Sequence, residues 1–165
     1  MQNIFKQWMI ILIALAAAVS MAPAQDEKLV VKKELSLHLE IEAAQAAIDA
    51  CAAKHVSVHV VVMDSDANIR LLLIPDGARY DTLDGARGKG YTAAMTGQAT
   101  IDLMKHRADN PPTLPTDPKM VFLGGAVPIK IGSEMVGVLS AGGGAPEQDA
   151  QCAQAGVDKI QPYLK

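Results

Sequence analysis

Aromatic residues are scarce in this chain. Its 165 residues include one tryptophan, three tyrosines and two phenylalanines. That is too few for the stacking platforms that hold single-stranded nucleic acid. A basic excess is missing as well: 15 Lys and Arg stand against 18 Asp and Glu, for a net charge of −3. No basic face for a nucleic-acid partner is expected. Cysteine is limited to Cys51 and Cys152, and no C-x-x-C pair exists, which removes the cysteine-rich zinc modules and thioredoxin-like redox motifs.

Catalytic signatures are absent too. There is no G-x-S-x-G elbow and no H-E-x-x-H helix. The glycine-rich stretch "FLGGAVPIKIGSEMVGVLSAGGGAPEQD" suggests a phosphate cradle, but no Lys-Ser or Lys-Thr follows its glycines, so it is not a Walker A loop. Gly142-Gly143-Gly144 lacks the G-x-G-x-x-G spacing of a dinucleotide site, and Glu147 and Asp149 would repel phosphate at the following helix start.

The four histidines, His38, His55, His59 and His106, form no close pair on one helix face. Each alone reads as a surface or hydrogen-bonded residue. His38, early in a helix, and His106, at the end of a second helical region, are the better ligand candidates; His106 also suits a helix C-terminus by charge. Of eight methionines, Met63, Met95, Met104, Met120 and Met135 lie beyond the first 24 residues and read as core filler before they read as ligands.

The N-terminus is informative. Lys6 is the only charge in the first 25 residues, Ile10 to Val19 is unbroken and apolar, and Ala22-Pro23-Ala24 places small residues where a signal peptidase reads them. Residues 1–24 are read as a secretory signal cut after Ala24. The alternative is a retained anchor, but the run is short of the roughly 20 residues that a span takes. The expected mature chain is periplasmic or secreted, with no stable membrane anchor. Without Lys6 it has 14 basic and 18 acidic residues, a net charge of −4. In an oxidising compartment two cysteines suggest one disulfide; two buried thiols are the alternative.

After a short extension, 25–34, a single domain is expected over 35–165. Ser36 is a candidate N-cap for a helix over 37–54, with Leu37, Ile41, Ala44, Ile48 and Cys51 at helical spacing. The segment 56–64 alternates as a strand, with Ser57, His59 and Val61 on one face and Val58, Val60 and Val62 on the other. A turn at 65–68 leads to a second strand over 69–74. A second helix is expected from Thr82 to Met95, with a helical continuation over 98–107. A proline-rich loop then precedes three strand candidates, 120–123, 126–131 and 135–140, the last two joined by Gly132-Ser133. Pro146 opens a closing helix that runs to about Tyr163. The order α-β-β-α-β-β-β-α, with hairpin connections, implies an α+β layered domain: a five-stranded antiparallel sheet with helices on both faces.

One further pattern emerges from the order of these residues. Asp64 ends the first strand. Asp76-Gly77-Ala78 follows the second. The next helix bears Ala86, Lys89, Thr92 and Ala93, then Thr100 and Leu103. Gly124-Gly125-x-x-Pro128, Val136-Gly137-Val138, Ser140-x-Gly142-Gly143 and Gln148-Asp149 come later, before Ala153 and Gly156. Together they resemble the GlcG/HbpS-like family, also called haem-degrading domain proteins, which includes the C-terminal domain of PduO. The resemblance covers about 35–160. It departs from the family at Ile74-Pro75, where an Arg is usual before D-G-A, at Lys89-Gly90 for Lys-Ala, and at Ala67-Asn68 in the first hairpin turn.

The resemblance implies a profilin-like fold and assembly into a homo-oligomer. It implies haem binding in some members, exported ones included, so with the signal segment the first reading is an exported small-ligand-binding protein with haem the first choice of ligand. An enzyme acting on haem or a small metabolite, and an oligomeric accessory protein with no ligand, are the alternatives. The family's iron-holding Thr or His would match Thr92 and Thr100, with His38 as an alternative. With His106 and Met95, these complete the candidate cofactor-binding set. The same fold would lay the first and last helices side by side and bring Cys51 within reach of Cys152.

Overall fold

The computed structural model describes residues 31–111 and 117–165. The expected signal segment and part of the proline-rich loop fall outside them. Residues Lys33–Lys165 form one compact unit.

The first helix, α1 (Leu37–Ala52), starts where Ser36 takes extended backbone and its Oγ accepts the Leu39 amide at 3.4 Å, an N-cap that satisfies one orphan donor. Ala44, Ile48 and Cys51 of the expected stripe face the core, but Leu37 and Ile41 do not, and Ala43 and Ala47 take their place. Ala43, Ala44, Ala47 and Cys51 are fully buried, whereas Leu37 and Ile41 are 57% and 46% exposed. The reason is close helix packing. α1 lies against the last helix, α4 (Pro146–Ile160), so tightly that a Cβ on Gly156 would meet the Ala43 carbonyl at 2.5 Å. Only small side chains fit that seam, and larger ones at the same helical period turn outward.

Strands β1 (His59–Met63), β2 (Ile69–Leu73), β3 (Ala126–Ile131) and β4 (Glu134–Gly142) form an antiparallel sheet in the order β2-β1-β4-β3. Two helices lie between β2 and β3: α2 (Leu83–Thr96) and α3 (Thr100–Asp109). Gly97, at φ 65°, caps α2 in the left-handed region and separates the two.

Among the described residues the sheet has four strands rather than five, and the order is α-β-β-α-α-β-β-α. The segment 120–123 is not a strand. The Val121 amide is taken by Thr92 Oγ1 at 2.8 Å and more weakly by the Gly88 carbonyl at 3.4 Å. Phe122 lies under the Arg107 guanidinium, 3.7 Å from its ring centroid. Backbone groups committed to α2 are not offered to a sheet edge.

The alternation read in β1 is present. Val58, Val60 and Val62 join α1 and α4 in one core; Val61 and Met63 join α2 in a second core on the opposite face. Every β1 residue is therefore buried. In the β1–β2 turn, Asp64 Oδ1 accepts the Asp66 and Asn68 amides at 2.8 and 2.9 Å, and Ala67 takes φ 65°. Gly132-Ser133 closes the two-residue β3–β4 hairpin, with Ile131 opposite Glu134.

On the α1/α4 face, Cys51 and Cys152 are joined, with Cα atoms 5.5 Å apart. Neither is exposed. No helix among the described residues is long and apolar enough to cross a membrane.

Candidate functional site

Two polar centres border α2. The first is closed. Lys89 and Asp149 are both buried, and Lys89 Nζ donates to Asp149 Oδ2 at 2.7 Å and to the Ala141 carbonyl at 3.3 Å. Asp149 Oδ1 accepts the Gly144 amide at 2.9 Å. The pair thus joins α2, the end of β4 and the first turn of α4. A Cβ on Gly125 would meet Lys89 Nζ at 2.8 Å, so no room remains for a ligand. Asp149, which looked like a bar to phosphate at the helix start, is a structural partner of a lysine 60 positions away. The glycine-rich stretch is shaped around that pair.

The second centre is open. On α2, Asp84, Arg87, Gly88 and Tyr91 recur at three- and four-residue spacing and share one face. With Gly85 they form one wall of a cleft of about 550 Å³. Met63, Ala67 and Ile69 of the β1–β2 hairpin form a second wall. Pro118, Lys119 and Val121 form the third. The volume lies within the roughly 300–1,000 Å³ usual for small-ligand sites, and two other depressions reach only about 310 and 350 Å³.

Local chemistry holds the third wall in place. Tyr91 Oη donates to Asp117 Oδ2 at 2.8 Å, and the Lys119 amide donates to Asp117 Oδ1 at 2.9 Å. A Cβ on Gly88 would meet Val121 Cγ2 at 2.4 Å, so the glycine admits that side chain. The Lys119 amide, and after it the Tyr91 hydroxyl, hold the Asp117 carboxyl below the ordinary carboxylate range. The bond to Asp117, reinforced by desolvation, raises the Tyr91 phenol above its usual value.

The pH consequence has two limbs. A depressed Asp117 stabilises the wall fully above about 3.8, and this is lost as pH falls through the lower folded value. A raised Tyr91 stabilises it fully below about 10.0, and this is lost as pH rises through the higher folded value. The Val121 amide chemical shift is therefore expected to be flat between these limits and to move outside them. Asp117→Asn is expected to remove the acid limb; an unchanged acid limb in that variant would show that another group holds the wall.

The expected cofactor-binding residues do not converge. Thr92 and Thr100 are fully buried. Thr92 Oγ1 donates to the Gly88 carbonyl and accepts the Val121 amide, both at 2.8 Å. Thr100 Oγ1 accepts the Ala126 amide at 2.9 Å. Both hydroxyls therefore pin the chain between 121 and 126. His38 is exposed on α1, beside Ile41 and Lys159 in a shallow depression. His106 is exposed near the end of α3, with Nδ1 3.4 Å from Asn110 Nδ2. Met95 is 45% exposed on α2. Among the described residues no group of three His, Cys, Asp or Glu could hold a metal ion. The cleft residues Arg87, Tyr91 and Lys119 were not singled out from the sequence, although the 84-87-88-91 spacing marks one helix face.

No match is found among curated proteins. Among solved structures, HbpS is 30% identical with a TM-score of 0.74, covering 82% of this chain and 96% of its own. A double mutant of Streptomyces reticuli HbpS is likewise 30% identical with a TM-score of 0.74, covering 86% and 97%. The complex of PduOC with haem is 24% identical with a TM-score of 0.71, covering 77% and 95%, a likeness of fold. The sequence profile of the family described as haem degrading protein HbpS-like matches residues 35–158. The chain belongs to the HbpS-like family.

Proposed function

We propose that the protein is exported, with its leader removed after Ala24, and binds haem in the cleft beside α2. The observation that carries this reading is the cleft itself, larger among the described residues than the depressions beside His38 and Ile101, in a chain of the HbpS-like family. A related fold is known in complex with haem.

The residues present suit the group. Met63, Ile69 and Val121 offer apolar surface to a flat macrocycle, and Arg87 and Lys119 offer cations to its acidic edge. The Tyr91 hydroxyl, released from Asp117, is a donor on the cleft walls that could face iron, whereas the Met63 sulfur lies in the core against Gly90; Thr92 supports the wall from behind through Val121. Bound haem would supply redox chemistry, while the protein supplies a partly dry, oriented site. Copies of the chain assemble in this reading, with Leu37 and Ile41 on the outer face of α1 as exposed apolar contacts.

Haemin titrated into the purified mature protein is expected to give a saturable Soret shift at micromolar concentration with one haem per chain. No shift at micromolar haemin would remove the reading. Adding a reductant separates binding from turnover: a stable Soret band is expected, and its loss with iron release beyond a protein-free control would indicate an enzyme.

A further inference from the structure

The lining of the cleft carries more than apolar surface. Arg87 Nε is buried and has no hydrogen-bond partner. A guanidinium offers five donors in a planar fork, and here its recorded contact is with Asp84 Oδ1, 3.4 Å from Nη1. The Asp84 side chain is 94% exposed, so this tie is long and solvent-screened, of the kind that contributes little. Lys119 stands on the opposite wall, with Nζ 5.8 Å from the Tyr91 ring centroid and in electrostatic reach of the Asp117 carboxylate. Two cations thus flank an apolar space whose lining holds a single, outward carboxylate.

An arginine fork with an unmet donor is satisfied best by a carboxylate, which takes two parallel N–H bonds. The loose hold of Asp84 leaves the Arg87 side chain, 43% exposed, able to turn onto such a group. Gly85 adds space beside it, since a Cβ there would meet nothing within 4 Å.

We propose that Arg87 and Lys119 form a carboxylate-recognising rim, so that the cleft selects flat apolar molecules that carry carboxylates. This deepens the haem-binding reading and rests on the same cleft. For a porphyrin, the recognised groups are its propionates. Esterified or neutral analogues of the same shape are bound less well.

The test compares protoporphyrin IX with its dimethyl ester on the mature protein, on Arg87→Gln and on Lys119→Gln, with circular dichroism verifying the fold. Charge-assisted hydrogen bonds give about tenfold or more in affinity each. The diacid is therefore expected to bind at least about tenfold more tightly than the ester, and each variant is expected to weaken the diacid by about that factor while leaving the ester unchanged. Gly85→Leu, which fills the cleft with a better helix former, is expected to abolish binding of both without loss of stability. Equal binding of diacid and ester, or equal weakening of both by the variants, overturns the rim and leaves haem binding intact. If no porphyrin binds, the haem reading falls, and 1-naphthoate against 1-naphthamide decides the rim. Amide shifts at Gly85, Gly88 and Lys119 with naphthoate alone support it; shifts with both, or with neither, overturn it.

Discussion

Replacing Cys51 and Cys152 together by Ala is expected to lower the unfolding free energy by about 4–5 kcal/mol. The two residues are 101 positions apart. In the chain-entropy view, a cross-link that closes a loop of about 100 residues contributes about 4.7 kcal/mol by restricting the unfolded chain. The bond also lies in a close seam, where α1 and α4 meet through alanines and Gly156. A domain of this size has about 5–15 kcal/mol in total, so the loss is a large share. Urea unfolding of the oxidised wild type and of the cysteine-free double variant measures it. A difference below about 1 kcal/mol would mean that the chain without the bond keeps α1 near α4 when unfolded.

Lys89→Met is expected to destabilise by about 3–5 kcal/mol, because Asp149 would be left buried without its cation. The same magnitude is expected for Asp149→Leu, which strands the ammonium. The double variant is expected to be far milder than the two singles combined, since two apolar residues of similar volume can replace a buried pair at little net cost. A thermal or urea double-mutant cycle reads this. Additive losses would show that the residues act separately, Asp149 chiefly through its bond to the Gly144 amide.

These two features differ in how visible they are along the chain. The Cys51–Cys152 pairing follows from a fold resemblance, because only the three-dimensional order of helices brings the two together. The Lys89–Asp149 pair gives no local sign: Asp149 sits where first-turn acids commonly serve the helix dipole, and its other role depends on a lysine on the far side of the sheet's end. Local punctuation was more legible. Ser36, the Asp64–Asn68 turn and Gly132-Ser133 act where they stand, through short-range hydrogen bonds and backbone geometry.

The strand expected over 120–123 and the stripe expected on α1 show the opposite limit. Met120-Val121-Phe122-Leu123 has strand-like residues, but Thr92, 29 positions away, claims the Val121 amide. On α1 two sets of residues satisfy the helical period equally, and the width of the α4 seam selects the alanines. The same long-range placement explains the site. Thr92 and Thr100 are buried beside the 121–126 segment, where their hydroxyls anchor its backbone. Arg87, Tyr91 and Lys119 become neighbours only when the 117–121 segment folds back on α2.

Haem in the α2 cleft is tested most directly by locating the iron, from its anomalous scattering, in crystals of the mature protein grown with haemin. The expected result is one iron per chain between α2, the β1–β2 hairpin and Lys119-Met120-Val121. Iron bound elsewhere on the chain, or no ordered iron at saturating haemin, would contradict it.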